Sequence, residues 1–233
     1  MTIHVLSAGA AKGLVSDLEA EFTANSDIAI NGFFNAVGAI KEKFVAGEKC
    51  DVLILTDAII KDLVSQGMLL AGSPAPLGIV RTGVAVREES KSPDISTSAA
   101  FRASLKSSKG IYVPDMQRST AGMHFMKVLK AMGIEDDVAP NLRPFPNGET
   151  AMRNLASAAE ENAIGCTQIT EINYTKGLKL VGPLPKEYDL PTIYTAAVSN
   201  KAADPVVALR LVELLAGKAS QALRIRSGFE SIS

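Results

Sequence analysis

Short apolar runs alternate along this chain with longer stretches in which apolar residues recur every three or four positions. Residues 3–8 read as a buried strand, and residues 11–24 follow with Leu14, Leu18 and Phe22 on one helical face. The alternation repeats with strand 28–34 and helix 37–46, whose Ile40 and Phe44 point inward and which Gly47 closes. Strand 51–55 and helix 57–66, ended by Gly67, make a third pair. Three strand–helix units in succession predict parallel strands joined by right-handed crossovers.

After Ser73-Pro74-Ala75-Pro76 the rhythm changes. Residues 77–87 predict one long apolar strand with a bend at Gly83. Ser96 is expected to cap a helix running to about Ser107. Strand 110–114, helix 120–132, strand 141–145, helix 148–161 and strand 163–168 complete a second α/β region. A strand at 178–182 leads through a proline-rich connection to strand 192–198, and Asp204-Pro205 opens a helix with Leu209, Val212 and Leu215 as its apolar stripe. This last stretch is too small for a domain and is expected to return to the first region. The fold class is α/β, with two doubly wound lobes and a hinge cleft: residues 1–81 plus 188–233, and residues 82–187. The ligand is expected in the cleft, at the carboxyl ends of strands.

Composition narrows the functions. The 233 residues include 24 Lys plus Arg against 25 Asp plus Glu, a formal net charge of -1. Nucleic acid and anionic membranes are held by clustered positive charge, so neither is an expected partner. Eight Phe, four Tyr and no Trp do not make a base-stacking platform. Cys50 and Cys166 lie in separate apolar runs and read as small buried residues. His4 and His124 have no Cys or carboxylate at ligand spacing, so no metal and no cofactor is expected. No stretch approaches about 18 consecutive apolar residues, so no membrane insertion is expected. The opening residues show no basic segment and apolar run of a secretory leader. That favours the cytoplasm, or the periplasm only where a leader has been removed, and without a leader a permease partner is not expected. A small-molecule anion is the expected partner, and the oligomeric state is not legible.

Candidate chemistry sits where strands give way to helices. Ser7-Ala8-Gly9-Ala10-Ala11, Asn35-Ala36-Val37-Gly38, Gln117-Arg118-Ser119-Thr120-Ala121-Gly122 and Pro146-Asn147-Gly148-Glu149-Thr150 are small or glycine-containing and precede helices whose free N–H groups favour an anion. Capping alone explains any one of them, whereas four converging on one cleft favour binding. Gly9-Ala10-Ala11-Lys12-Gly13 lacks the third glycine of a dinucleotide turn and the Gly-Lys-Ser/Thr of a phosphate loop. No Gly-x-Ser-x-Gly elbow occurs. Arg81, at the expected crossover between lobes, either pairs in a polar site or faces solvent. Arg118 offers a bidentate contact to a carboxylate, with a solvated loop residue as the alternative. His124 either reaches the cleft or packs as a satisfied histidine. Thr167 and Gln168 end an apolar strand, where uncharged polar groups orient ligands.

Taken in order, Leu6-Ser7-Ala8-Gly9-Ala10, Leu18-Glu19-Ala20-Glu21-Phe22, Phe44-Val45-Ala46-Gly47-Glu48-Lys49-Cys50-Asp51-Val52, Thr56-Asp57, Ser119-Thr120-Ala121-Gly122, Ala163-Ile164-Gly165-Cys166-Thr167-Gln168 and Ile225-Arg226-Ser227-Gly228-Phe229 resemble the type 2 periplasmic solute-binding proteins, nearest their molybdate-binding group. The pattern covers nearly the whole chain. The resemblance implies a ligand set at Ala10, Ala11, Val37, Gly38, Arg81, Arg118, Ser119, Thr120, Ala121, Thr150, Thr167 and Gln168. Molybdate binders place Ser hydroxyls on the first two helix-start loops and a Tyr after the late strand; Ala10, Val37 and Gln168 hold those places here. With three side-chain donors changed and Arg81, Arg118 and His124 added, a di- or tricarboxylate is expected over molybdate.

The family is also similar to aconitate isomerase, which moves a double bond by shifting a proton. That similarity implies an alternative: a cofactor-independent isomerase in which Arg81 and Arg118 clamp carboxylates, Thr120 and Gln168 orient them, and His124 or Glu149 is the base. Binding of molybdate or sulfate for ABC-type transport is a further alternative.

Overall fold

A computed structural model describes residues 2–232. In chain order its strands and helices are β1 (Thr2–Ala8), α1 (Lys12–Ser26), β2 (Ala29–Asn35), α2 (Val37–Val45), β3 (Val52–Thr56), α3 (Asp57–Ser65), β4 (Ala75–Val80), β5 (Thr82–Arg87), α4 (Ser98–Ser107) and β6 (Ile111–Pro114). They continue with α5 (Thr120–Met132), α6 (Glu135–Val138), β7 (Leu142–Phe145), α7 (Gly148–Ala156), β8 (Ile164–Gln168), α8 (Ile169–Tyr174), β9 (Leu178–Pro183), β10 (Thr192–Val198), α9 (Pro205–Ala216) and α10 (Gln221–Ser227). The architecture is α/β and doubly wound, with two five-stranded sheets flanked by helices. Two compact units divide the chain: residues up to Val80 together with those from Thr192 onward, and Arg81–Pro191.

In the first unit the sheet order is β2-β1-β3-β10-β4. β1 runs parallel to β2 and β3, as strand–helix crossovers require, while β10 runs antiparallel to both β3 and β4. Val52 to Leu55 are fully buried because β3 is central and covered on both faces. Leu14, Leu18 and Phe22 of α1, Ile40 and Phe44 of α2, and Leu211 and Leu215 of α9 fill one core with it. Spacing by three and four residues puts each set on one helix face.

The second unit has the order β7-β6-β8-β5-β9. Here β6 is parallel to β7 and β8, and β5 is antiparallel to β8 and β9. Strand alternation sorts its side chains into two cores. Val84, Val86, Ile164 and Cys166 face Phe101, Leu105, Phe125 and Leu129 from α4 and α5. Ala85 and Tyr112 face Met152, Leu155 and Ile172 from α7 and α8.

Four local expectations need correction. The apolar run 77–87 is two strands in two sheets, and the break falls at Arg81 rather than Gly83. Gly83 lies inside β5, where a Cβ would collide with Ile169 and crowd the Gly182 carbonyl, so it marks close packing and not a bend. Ser96 does not cap α4. Its backbone N–H and hydroxyl both donate to Asp94, at 2.9 and 2.7 Å, and Thr97 accepts from the Ala100 N–H instead. The helix from Gly148 ends at Ala156, five residues early. Beyond it Arg87 takes the Ala158 carbonyl, Tyr112 donates to the Glu160 carboxylate at 2.9 Å, and Asn162 adopts φ 54°. Finally, residues 169–174 form a short helix that the periodicity did not predict.

Candidate functional site

Parallel pairing brings the carboxyl ends of β1, β2 and β3 to one edge of the first sheet. Ala8 is registered with Asn35, so the turns that follow lie side by side. Gly9–Ala11 forms a single 3-10 turn, in which the Ala10 and Ala11 methyls are buried. Ala36 precedes α2 without a side-chain cap, Val37 is buried, and Gly38 is half-buried. Asn35 turns its Oδ1 back on the Ala36 N–H at 2.8 Å, so beyond Asn35 this edge offers backbone N–H groups rather than polar side chains. The α3 terminus differs, because Asp57 supplies its own anion there and accepts from the Thr195 hydroxyl at 3.0 Å.

The second sheet repeats the arrangement with different side chains. After β6, Asp115 accepts from the Gln117 and Arg118 N–H groups and shapes the turn, leaving the Arg118 side chain exposed. Ser119 caps α5 through the Gly122 N–H, with Thr120 half-buried and Ala121 buried. One turn along, His124 is half-buried, and its Nε2 lies 2.7 Å from the Tyr188 carbonyl. A carbonyl only accepts, so Nε2 carries a proton and Nδ1 is the nitrogen left for other chemistry. Asn147 caps α7 by accepting from the Thr150 N–H at 2.9 Å. Glu149 lies within 3.9 Å of Arg153 one turn on.

The end of β8 is the most polar buried ground in the unit. Thr82 at the start of β5 stands opposite Gln168 at the end of β8. Directly opposed residues share a face of the sheet. Gln168 is 3% exposed, yet neither its Oε1 nor its Nε2 has a hydrogen-bond partner among the described residues. The hydroxyls of Thr82 and Thr170 are likewise buried and unpartnered. Arg81 forms an ion pair with Asp189, and its carbonyl accepts from the Ile169 N–H at 2.9 Å. Thr167, by contrast, points to the other face and donates to Glu171 at 2.5 Å. Burial pushes the Glu171 carboxyl up to about 7. The same cause raises Cys50 to about 12 and raises Cys166, so both thiols stay protonated near neutrality.

Residues 3–230 match the pattern of the family described as bacterial extracellular solute-binding protein. The chain belongs to that family. Among solved structures, the periplasmic molybdate-binding protein of Azotobacter vinelandii shares its fold at a TM-score of 0.82, with 19% identity over 99% of this chain and all of that one. The sulfate-binding protein of Mycobacterium tuberculosis matches at a TM-score of 0.76 and 13% identity, over 100% of this chain and 88% of that one. An aconitate isomerase from a Pseudomonas species is 24% identical over 223 residues, covering 93% of this chain and 83% of the relative. The resemblance drawn from sequence motifs, to molybdate binders and to aconitate isomerase, is thus met on both sides. As a family member the protein is a solute-binding protein by fold and sequence pattern. No helix among the described residues is long and apolar enough to cross a membrane.

Sequence reasoning singled out Gln168 and Thr167 but missed Thr82, Thr170, Glu171 and Asp189. Thr82 had a signal, a polar residue next to an arginine in an apolar run. Thr167 and Glu171 are four residues apart, a spacing that becomes informative only once a helix is known to begin at Ile169.

Proposed function

We propose that this solute-binding protein captures a small organic anion of the di- or tricarboxylate class. The observation that carries the reading is the Gln168 amide, buried with both polar atoms unpartnered, opposite Thr82 in the sheet and two residues before Thr170, whose buried hydroxyls are in the same condition. A buried amide left unpaired costs about 1–3 kcal/mol, and a ligand that hydrogen-bonds to it recovers that cost. The Nε2 group and the Thr82 and Thr170 hydroxyls are donors suited to carboxylate oxygens, while Oε1 accepts from a ligand hydroxyl. Arg81, paired with Asp189, supplies a guanidinium at the same strand ends. The relative that acts on aconitate, a tricarboxylate, supports this ligand class over a tetrahedral oxyanion.

A panel of melting curves tests it, with succinate, citrate, cis- and trans-aconitate beside molybdate, tungstate, sulfate and phosphate. The carboxylates are expected to raise Tm, and Gln168→Ala or Arg81→Ala to remove the response. Stabilisation by molybdate alone overturns the reading.

The aconitate isomerase relative also favours a second reading, catalysis of a 1,3-proton shift. A base removes a proton from the carbon next to a carboxylate, the double bond moves one position, and a proton is returned to the far carbon. His124 Nδ1 and the Glu149 carboxylate are the bases to test. Incubation with cis- or trans-aconitate in deuterated water is expected to place label on carbon; no label and no interconversion leave binding alone.

A further inference from the structure

Among the described residues, the buried side-chain polar atoms without a partner all belong to the second unit: the Thr82 and Thr170 hydroxyls, the Gln168 amide and Oδ1 of Asp189. Capture of a bare carboxylate accounts for the hydroxyls and the amide N–H, which donate. It does not account for Asp189, because a carboxylate paired with a guanidinium only accepts. Its Oδ2 is engaged by Arg81, while Oδ1 is shut off from solvent and meets no donor. Asp189 is fastened to the Gln168 corner from two sides. Arg81 directly precedes Thr82, and its carbonyl accepts the Ile169 N–H at 2.9 Å. Thr82 stands opposite Gln168, and alternation puts both side chains on the face of Val84 and Cys166, which α4 and α5 cover. Tyr188, the residue before Asp189, packs on that same core. Its hydroxyl lies 2.6 Å from that of Ser98 on α4, and its carbonyl accepts from His124 on α5 at 2.7 Å. Asp189 therefore comes to the corner on the Gln168 and Thr82 face of the sheet.

We propose that Asp189 selects for a hydroxyl on the ligand, so that the anion held at Gln168 and Thr82 is a hydroxycarboxylate rather than an unsubstituted or unsaturated carboxylate. The proposal rests on the anion reading above and narrows its ligand class. A ligand carboxylate turned towards Oδ1 meets like charge and leaves that oxygen unpaired. A ligand hydroxyl donates to Oδ1 and still accepts from the Gln168 Nε2 group or the Thr82 hydroxyl. Gln168 Oε1 is a second buried acceptor that a carboxylate cannot satisfy. An ammonium group also donates, but Arg81 already neutralises Asp189, and a further cation there meets the guanidinium. A neutral donor beside carboxylates is the chemistry that completes this corner.

Ligand pairs that differ by one hydroxyl test this in titration calorimetry on the full chain: malate against succinate, and citrate against tricarballylate, with aspartate as the ammonium arm. The hydroxylated member of each pair is expected to bind at least about tenfold tighter, since the other leaves a buried charged acceptor unpaired. Asp189→Ala removes that acceptor and releases Arg81 from the ion pair. Succinate and tricarballylate are then expected to gain affinity, and the ratio within each pair to fall towards one. Asp189→Asn decides the matter if Asp189→Ala does not fold. Its amide oxygen faces Arg81, which only donates, so an N–H replaces Oδ1 and the preference is expected to reverse. Equal affinities within both pairs overturn the hydroxyl and leave the anion reading standing. Aspartate binding as tightly as malate overturns the neutral donor, and an unchanged ratio in the variants overturns the role of Asp189. If none of the five ligands binds, the anion reading falls and this inference falls with it.

Discussion

At the carboxyl edge of the first sheet the turns after β1 and β2 run through Ala10, Ala11, Ala36, Val37 and Gly38, none of which carries a polar side-chain atom. The polar Asn35 and Asp57 there are engaged with the Ala36 N–H and the Thr195 hydroxyl. The corresponding edge of the second sheet gathers Ser119, Asn147, Thr167, Gln168, Thr170 and Glu171. Both edges arise from the same parallel pairing of strands, so the difference is one of side chains and not of topology. Backbone N–H groups are fixed by the path of the chain and survive most substitutions. Side-chain donors can be exchanged one at a time. Under the proposed anion reading, the second edge is therefore where substitution can change which anion fits without rebuilding a turn.

Substitutions that test this contrast differ widely in expected size. Gly148→Ala comes first. The added methyl collides with Glu171 and Thr167 in a corner that holds α7 to β8, and overpacking of this kind costs about 3 kcal/mol. Urea denaturation should show that loss, and an unchanged midpoint would mean the corner is looser than described. Gln168→Leu has a smaller effect of opposite sign. Replacing an unpartnered amide with an apolar group of similar size is expected to raise stability by about 1–2 kcal/mol while removing the anion response. Stability lost together with binding would show that the amide has a structural partner. Ala36→Ser is the mildest. It gives α2 the side-chain cap it lacks and is expected to add about 1 kcal/mol, read as slower amide exchange in the first turn. No gain would indicate that those N–H groups are already satisfied.

The order of strands and helices was legible because period and length both pointed the same way in α1, α5 and α9. Interruptions were less legible. A run of apolar residues from Leu77 to Val86 looks the same whether one sheet or two receives it, and only pairing partners tell β4 from β5. Ser96 and Thr97 are both good caps by type, and the nearby Asp94 decided between them by binding Ser96. In the candidate site, Gln168 was readable as a polar residue closing an apolar strand. Glu171 was not, since a glutamate in Ile-Thr-Glu-Ile-Asn-Tyr reads as a solvated charge until Gly148 is found against it.

The point where the chain leaves the first sheet has a practical consequence. Val80 at the end of β4 stands directly opposite Thr192 at the start of β10, in an antiparallel pair. Opposed residues in such a pair are only about 5 Å apart. A two-residue turn of the Asn-Gly kind spans that gap. Residues 81–191 are thus grafted into what would otherwise be an ordinary β-hairpin, and excising them with such a turn leaves all five strands of the first sheet in their present register.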